Sequence, residues 1–153
     1  MKNIVLTRID ERLMHGQVIV SWIPYLKADE VIIVDDEYAN DDFMSLLINN
    51  AAPNNVKVNI LTAEKSAEYI MGNDDGARIL VLLKNIKHLK DLIDSGIVLN
   101  KINVGNVGSD PERKQYYNTV YLSDNELNIL KEISNHAEVE IKMLPNDKAM
   151  SLV

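Results

Sequence analysis

A chain of 153 residues, 46% hydrophobic and 25% charged with few glycines and prolines, has the composition of a globular protein, and its length predicts one domain over 1–153. The formal charge of −7 argues against nucleic acid or an anionic membrane surface as the main partner, because both are gripped through Lys and Arg. The lack of cysteine removes disulfides, thiolate catalysis and Cys-ligated metals together.

The longest apolar run, Ile79 to Leu83, is far shorter than the ~20 residues that cross a bilayer. Met1 to Thr7 meets Arg8 too soon to form the apolar centre of a secretory signal. Both features predict a cytoplasmic protein. Aromatics make up 5% of the chain, so aliphatic side chains must fill the core.

In chain order, the first apolar run, Asn3 to Thr7, reads as a strand and is followed by R-I-D-E-R-L-M-H-G-Q-V, residues 8–18. Helical spacing then covers Gln17 to Tyr25. Further strands are predicted at Glu30–Asp35, Val56–Leu61, Arg78–Leu83, Lys101–Val104, Thr119–Leu122 and Val139–Met143. Helices are predicted at Asp41–Ala51, Ala63–Met71, Ile86–Asp94 and Asp124–Asn135. Thr62 is placed to cap the third helix, Ser123 with Glu126 forms a capping-box pattern, and Gly96 suits a left-handed helix end.

The runs Val31–Val34 and Ile79–Leu83 are continuously apolar, as in parallel strands covered on both faces. Val139, Ile141 and Met143 alternate with Glu140 and Lys142, which places the last strand at an edge. The alternation of strands and helices predicts an α/β fold: an open, mostly parallel, doubly wound sheet of about seven strands, helices on both faces, its final edge open to antiparallel pairing. Ligand chemistry in such sheets collects outside the carboxyl ends of the strands. Residues 8–18, Asp35-Asp36, Thr62, Lys84-Asn85 and Gly105–Gly108 all leave strands at that end.

The charged stretch has the parts of a phosphate cradle. If Gly16 and Gln17 begin a helix, their unpaired N–H groups and the positive end of the dipole favour an anion beside His15. Arg8 and Arg12 offer guanidinium forks that match phosphate oxygens. A neutral imidazole can carry a phosphoryl group on one nitrogen while the other is held by a hydrogen bond, and Asp10 or Glu11 could accept it. Asp10, with the shorter side chain, orients a ring with less freedom. The same spacing also fits a surface ion-pair cluster, worth under ~1 kcal/mol per pair.

The stretch Arg8-Ile9-Asp10-Glu11-Arg12-Leu13-Met14-His15-Gly16-Gln17-Val18 resembles the signature R-[IV]-D-[DE]-R-[LF]-[IM]-H-G-Q-V of the IIB component of the mannose, fructose and sorbose class of bacterial sugar phosphotransferase systems. The likeness continues through Trp22, Ile32-Ile33-Val34-Asp35-Asp36-Glu37, Asn103-Val104-Gly105 and Val120-Tyr121-Leu122-Ser123. It implies that His15 takes a phosphoryl group on Nδ1 from the phosphohistidine of a IIA protein and passes it to a sugar entering through membrane subunits IIC and IID. Asp10 would orient the imidazole, Arg8 and Arg12 would supply phosphate charge, and Gly16 and Gln17 would give the helix N-terminus. It also implies peripheral association with the transporter. Many relatives have a second glycine where this chain has Asn106.

Phosphoryl transfer needs positioning and charge compensation, so no cofactor or metal is expected. The rival classes are a non-catalytic α/β protein that binds a phosphorylated small molecule at the same strand-end site, and a scaffold that keeps the fold alone. A binder tolerates Gln at position 15; a relay does not. A homo-oligomer is left open. His88 and His136 read as solvated, Asp35 and Asp36 as closing a turn or capping the next helix, Gly105–Gly108 as a turn, and Asp110–Tyr117 as an exposed loop.

Overall fold

A computed structural model describes residues 1–152. Its strands are β1 (Asn3–Asp10), β2 (Glu30–Val34), β3 (Lys57–Leu61), β4 (Arg78–Leu83), β5 (Lys101–Asn106), β6 (Lys114–Tyr117), β7 (Val120–Leu122) and β8 (Glu138–Ile141). Its α-helices are α1 (Ile23–Leu26), α2 (Asp42–Ala51), α3 (Ala63–Ile70), α4 (Ile86–Asp94) and α5 (Asp124–Ile133). Six strands form one parallel sheet in the order β3-β2-β4-β1-β5-β8.

The strand alternation of side chains splits the interior into two cores. One face of the sheet, with Ile9, Ile32, Val81 and Val104, packs against Ala67 of α3, Leu89 of α4 and Leu130 of α5. The other, with Leu6, Val31, Ile33 and Leu82, packs against Trp22, Ile23 and Ile48 of α2. The loop after β1 therefore turns to one face, while those after its neighbours β4 and β5 lead to helices on the other. Strand ends that diverge in this way open a crevice at the carboxyl edge.

The sheet has six strands where about seven were expected. Residues 120–122 lie outside it, in an antiparallel pair with Lys114–Tyr117, part of the segment expected to be a loop. The link between β6 and β7 is two residues, Asn118 and Thr119, too short for a crossover and sufficient for a hairpin. The last strand does lie at an edge, and it runs parallel to β5. Its Glu140, expected on the outer face, is buried.

Residues 16–26 are helical, but after Gly16 and Gln17 the segment widens into a π-helical turn at Val18–Trp22 before tightening into α1. The expected caps at Thr62 and Ser123 are formed, the latter as a full capping box, and Gly96 is left-handed at φ 92°. Asp41 caps α2 and Asn85 caps α4. Asp35 closes a turn by accepting from the Tyr38 N–H, and Asp36 reaches across to accept from the Ala63 N–H of α3. Among the described residues no helix is long and apolar enough to cross a membrane.

Candidate functional site

β1 sets the site by register. Leu6, Arg8 and Asp10 alternate onto the face covered by Trp22, so the strand's last two inward positions carry opposite charges inside an apolar core. Both are fully buried. The chain then turns sharply: Leu13 N–H bonds the Asp10 carbonyl at 2.9 Å, and Arg12 N–H bonds Asp10 Oδ1 at 3.0 Å. Leu13 completes the turn at φ 54°, a conformation that costs a non-glycine residue about 1–3 kcal/mol. Burial of its side chain beside Met14 and Trp22 offsets that cost.

The turn returns His15 over Asp10. His15 Nε2 lies 2.7 Å from Asp10 Oδ2, the oxygen that also accepts from Arg8 Nη2 at 3.2 Å and Nε at 3.3 Å. An oxygen already taking two guanidinium bonds is an acceptor, which places the shared proton on Nε2. In the neutral ring Nδ1 then holds the lone pair. Among the described residues it has no protein partner, and it is not buried, so it reaches the open edge of the site. The His15 carbonyl accepts from the Ile19 N–H at 3.0 Å, which makes His15 the residue that opens the helix. Gly16 and Gln17 follow with the N–H groups a helix start leaves unpaired.

The two arginines part company. Arg12 is exposed in the turn, and among the described residues its guanidinium has no partner. Arg8, expected to face a phosphate, is 0% exposed and points inward beneath Asp10. Its Nη1 donates to Asn103 Oδ1 and to the Lys142 carbonyl, Met143 Sδ lies 3.9 Å from Nη2, and the Trp22 ring centroid is 4.9 Å from Cζ. Burial pulls the guanidinium below its ordinary pKa, and the charge and hydrogen bonds of Asp10 work against that pull.

Sequence reasoning placed His15, Asp10, Arg12, Gly16 and Gln17 at one edge, and the structure brings them together there. It missed the surroundings of Arg8: Trp22, Asn103, the Lys142 carbonyl and Met143 Sδ in contact with it, Gly105 making room for it, and Glu140 behind Asn103. The signal was present as a polar residue inside an apolar strand, in Ile102-Asn103-Val104 and in Val139-Glu140-Ile141. A Cβ on Gly105 would overlap the Arg8 guanidinium, so that glycine is required by space; one on Gly108 would meet the flexible Glu11 carboxylate.

Of the other histidines, His136 is exposed as expected. His88 is buried, contrary to expectation, with Nε2 3.5 Å from Asp35 Oδ1. Its helix turns that face onto the end of β2. Among the described residues no cluster of three or more His, Asp or Glu could hold a metal ion.

Fold and site together define an open α/β protein with an imidazole–carboxylate–guanidinium cluster at the carboxyl edge of its sheet. The family described as "PTS system sorbose subfamily IIB component" matches residues 4–153, and the chain belongs to that family, within the mannose, fructose and sorbose class. It is similar to the fructose-specific EIIB component of Bacillus subtilis, 31% identical over 100% of this chain and 95% of that protein. It is also similar to the sorbose-specific EIIB component of Lacticaseibacillus casei, 30% identical over 98% and 93%. The crystal structure of the N-acetylgalactosamine-specific IIB component 1 from Escherichia coli superposes with a TM-score of 0.92, at 33% identity over 97% of this chain and 99% of that one.

Proposed function

We propose that this chain is the cytoplasmic phosphocarrier of a sugar-uptake phosphotransferase system, with His15 as the phosphoryl acceptor. The observation that carries the reading is the 2.7 Å contact of His15 Nε2 with buried Asp10, which leaves Nδ1 bare at the open edge. In the first step the Nδ1 lone pair attacks phosphorus, and the N–P bond of a IIA phosphohistidine breaks onto its own ring. In the second a sugar hydroxyl oxygen attacks, the His15 N–P bond breaks, and the hydroxyl proton leaves to water.

Asp10 keeps the ring in the tautomer that exposes Nδ1 and stabilises the charge that grows on the ring. Arg12 and the Gly16 and Gln17 N–H groups face the charge spread over the transferring oxygens. Arg8 holds Asp10 instead of touching phosphate. The sugar arrives through IIC and IID membrane subunits, which the chain meets by surface contact. The similar proteins are named for fructose, sorbose and N-acetylgalactosamine, all sugars.

The test is direct. Incubated with phosphoenolpyruvate, the general phosphotransferase proteins and a IIA partner, the chain should gain one acid-labile, base-stable phosphate. His15→Gln should gain none. Normal labelling of that variant would overturn the reading, and a wild-type chain that binds sugar phosphate without being labelled would favour the non-catalytic binder.

A further inference from the structure

Arg8, Asn103 and Glu140 stand at one level of the sheet. Arg8 is registered opposite Asn103 on β5, and Asn103 opposite Glu140 on β8, so the three side chains form a continuous row on one face. All three are buried. On the other side of Arg8 the same level carries Leu82 and then Ile33, both fully buried and apolar. The fold thus fills half of this row with hydrocarbon, and a buried ionic row is a poor source of stability next to well-packed apolar residues. The polar half answers to the site.

We propose that Asn103 and Glu140 are positioning residues for phosphoryl transfer at His15, acting through Arg8 and Asp10; this rests on the reading of His15 as the acceptor. An amide has one accepting and one donating end. Asn103 turns Oδ1 to Arg8 Nη1 and Nδ2 to Glu140 Oε1 at 3.4 Å and to the Lys142 carbonyl at 3.3 Å. The Glu140 carboxylate and the Lys142 carbonyl, accepting together from Nδ2, fix that orientation; reversed, the amide would set N–H against N–H at Arg8. Lys142 Nζ, 3.7 Å from Glu140 and 3.0 Å from the Pro145 carbonyl, balances the charge.

The guanidinium is rigid and planar, so a fixed Nη1 fixes the edge made by Nε and Nη2. That edge meets Asp10 Oδ2, the oxygen against His15 Nε2. Gly105 leaves room for the plane, and Trp22 covers it. Orientation therefore passes from an edge strand to the reacting ring in four contacts.

The experiment follows the His15 tautomer by 15N NMR of the imidazole and the rate of phosphoryl transfer from IIA, in Asn103→Ala, Glu140→Ala and Glu140→Gln. The wild type should carry its ring proton on Nε2. Asn103→Ala and Glu140→Ala should show a mixed tautomer and a kcat lower by up to about a hundredfold, the scale on which a misplaced group slows a reaction. KM for the IIA donor should not change. Glu140→Gln keeps an oxygen for Asn103 Nδ2 and should restore the wild-type tautomer.

Folded alanine variants with wild-type tautomer and rate would overturn the proposal, as would a Glu140→Gln no better than Glu140→Ala. If Asn103→Ala does not fold, the two Glu140 variants decide alone. A wild-type chain that takes no phosphate would instead sink the acceptor reading, while the tautomer readout would still report on the row.

Discussion

Arg8 and Arg12 differ by four positions and by everything in their surroundings. Arg8 spends its donors inside the protein on Asp10, Asn103 and Lys142; Arg12 keeps its guanidinium at the surface of the turn. On the proposed reading, replacing Arg12 with Ala removes a charge that would face the transferring group, and among the described residues its guanidinium has no partner in the fold. Transfer to His15 in Arg12→Ala should therefore slow by about a hundredfold, on the scale of losing one preorganised donor. Circular dichroism and melting should match the wild type; an unchanged rate would remove Arg12 from the site. The motif itself was legible in residues 8–18, but which arginine turns inward was not. That choice depends on Asn103, 95 positions along the chain, and on a glycine whose missing Cβ is meaningful only once β1 and β5 lie side by side.

Elements decide how firmly those residues are held. In β5 the substitution Gly105→Ala places a methyl against a guanidinium pinned on several sides, which cannot swing away as a free side chain would. Overpacking of this kind costs about 1–3 kcal/mol. A free energy of urea unfolding lower by that amount, with slower phosphoryl transfer, is the expected result. The β6–β7 hairpin is clamped to α5 by a bidentate bridge from Arg113 Nε and Nη2 to Glu126 at 2.8 and 2.9 Å. Burial pushes the Glu126 carboxyl up, but bonds from Arg113 and Ser123 outweigh it and hold the group below its ordinary 4.5. A depressed carboxylate pKa adds stability above the unfolded value and loses it as pH falls through the folded one. The protection factors of the hairpin amides, which remove the intrinsic pH dependence of exchange, should thus fall below about pH 4.5 in the wild type, and Glu126→Gln should be weakly protected at neutral pH with little further loss in acid. The hairpin escaped sequence reasoning because Lys114 and Gln115 are exposed polar residues that carry no burial pattern, and its pairing is visible in neither strand alone.

Across the whole molecule, the parallel core was legible because central strands covered on both faces read as unbroken apolar runs, as in β2 and β4. The periphery was not, since β7 has two buried residues and joins another sheet, and since Glu140 looks solvent-facing until Asn103 is placed beside it. The segment after β8 also binds the parts together: the Trp22 indole N–H donates to the Met143 carbonyl at 2.9 Å. Truncation after Lys142 would orphan that buried N–H at a cost of about 1–3 kcal/mol, a fall in Tm of about 2–12 °C for a chain of this size. Calorimetry of the shortened chain would measure it. A second effect follows from the paired bonds between Ile141 and Met150, at 3.0 and 2.8 Å, which fold the tail back along the outermost strand. Stripped of that flap, β8 would offer bare amides and carbonyls as a template for strands of other molecules. Light scattering per unit mass should then rise with concentration, because the pairing at Met150 no longer shields that edge.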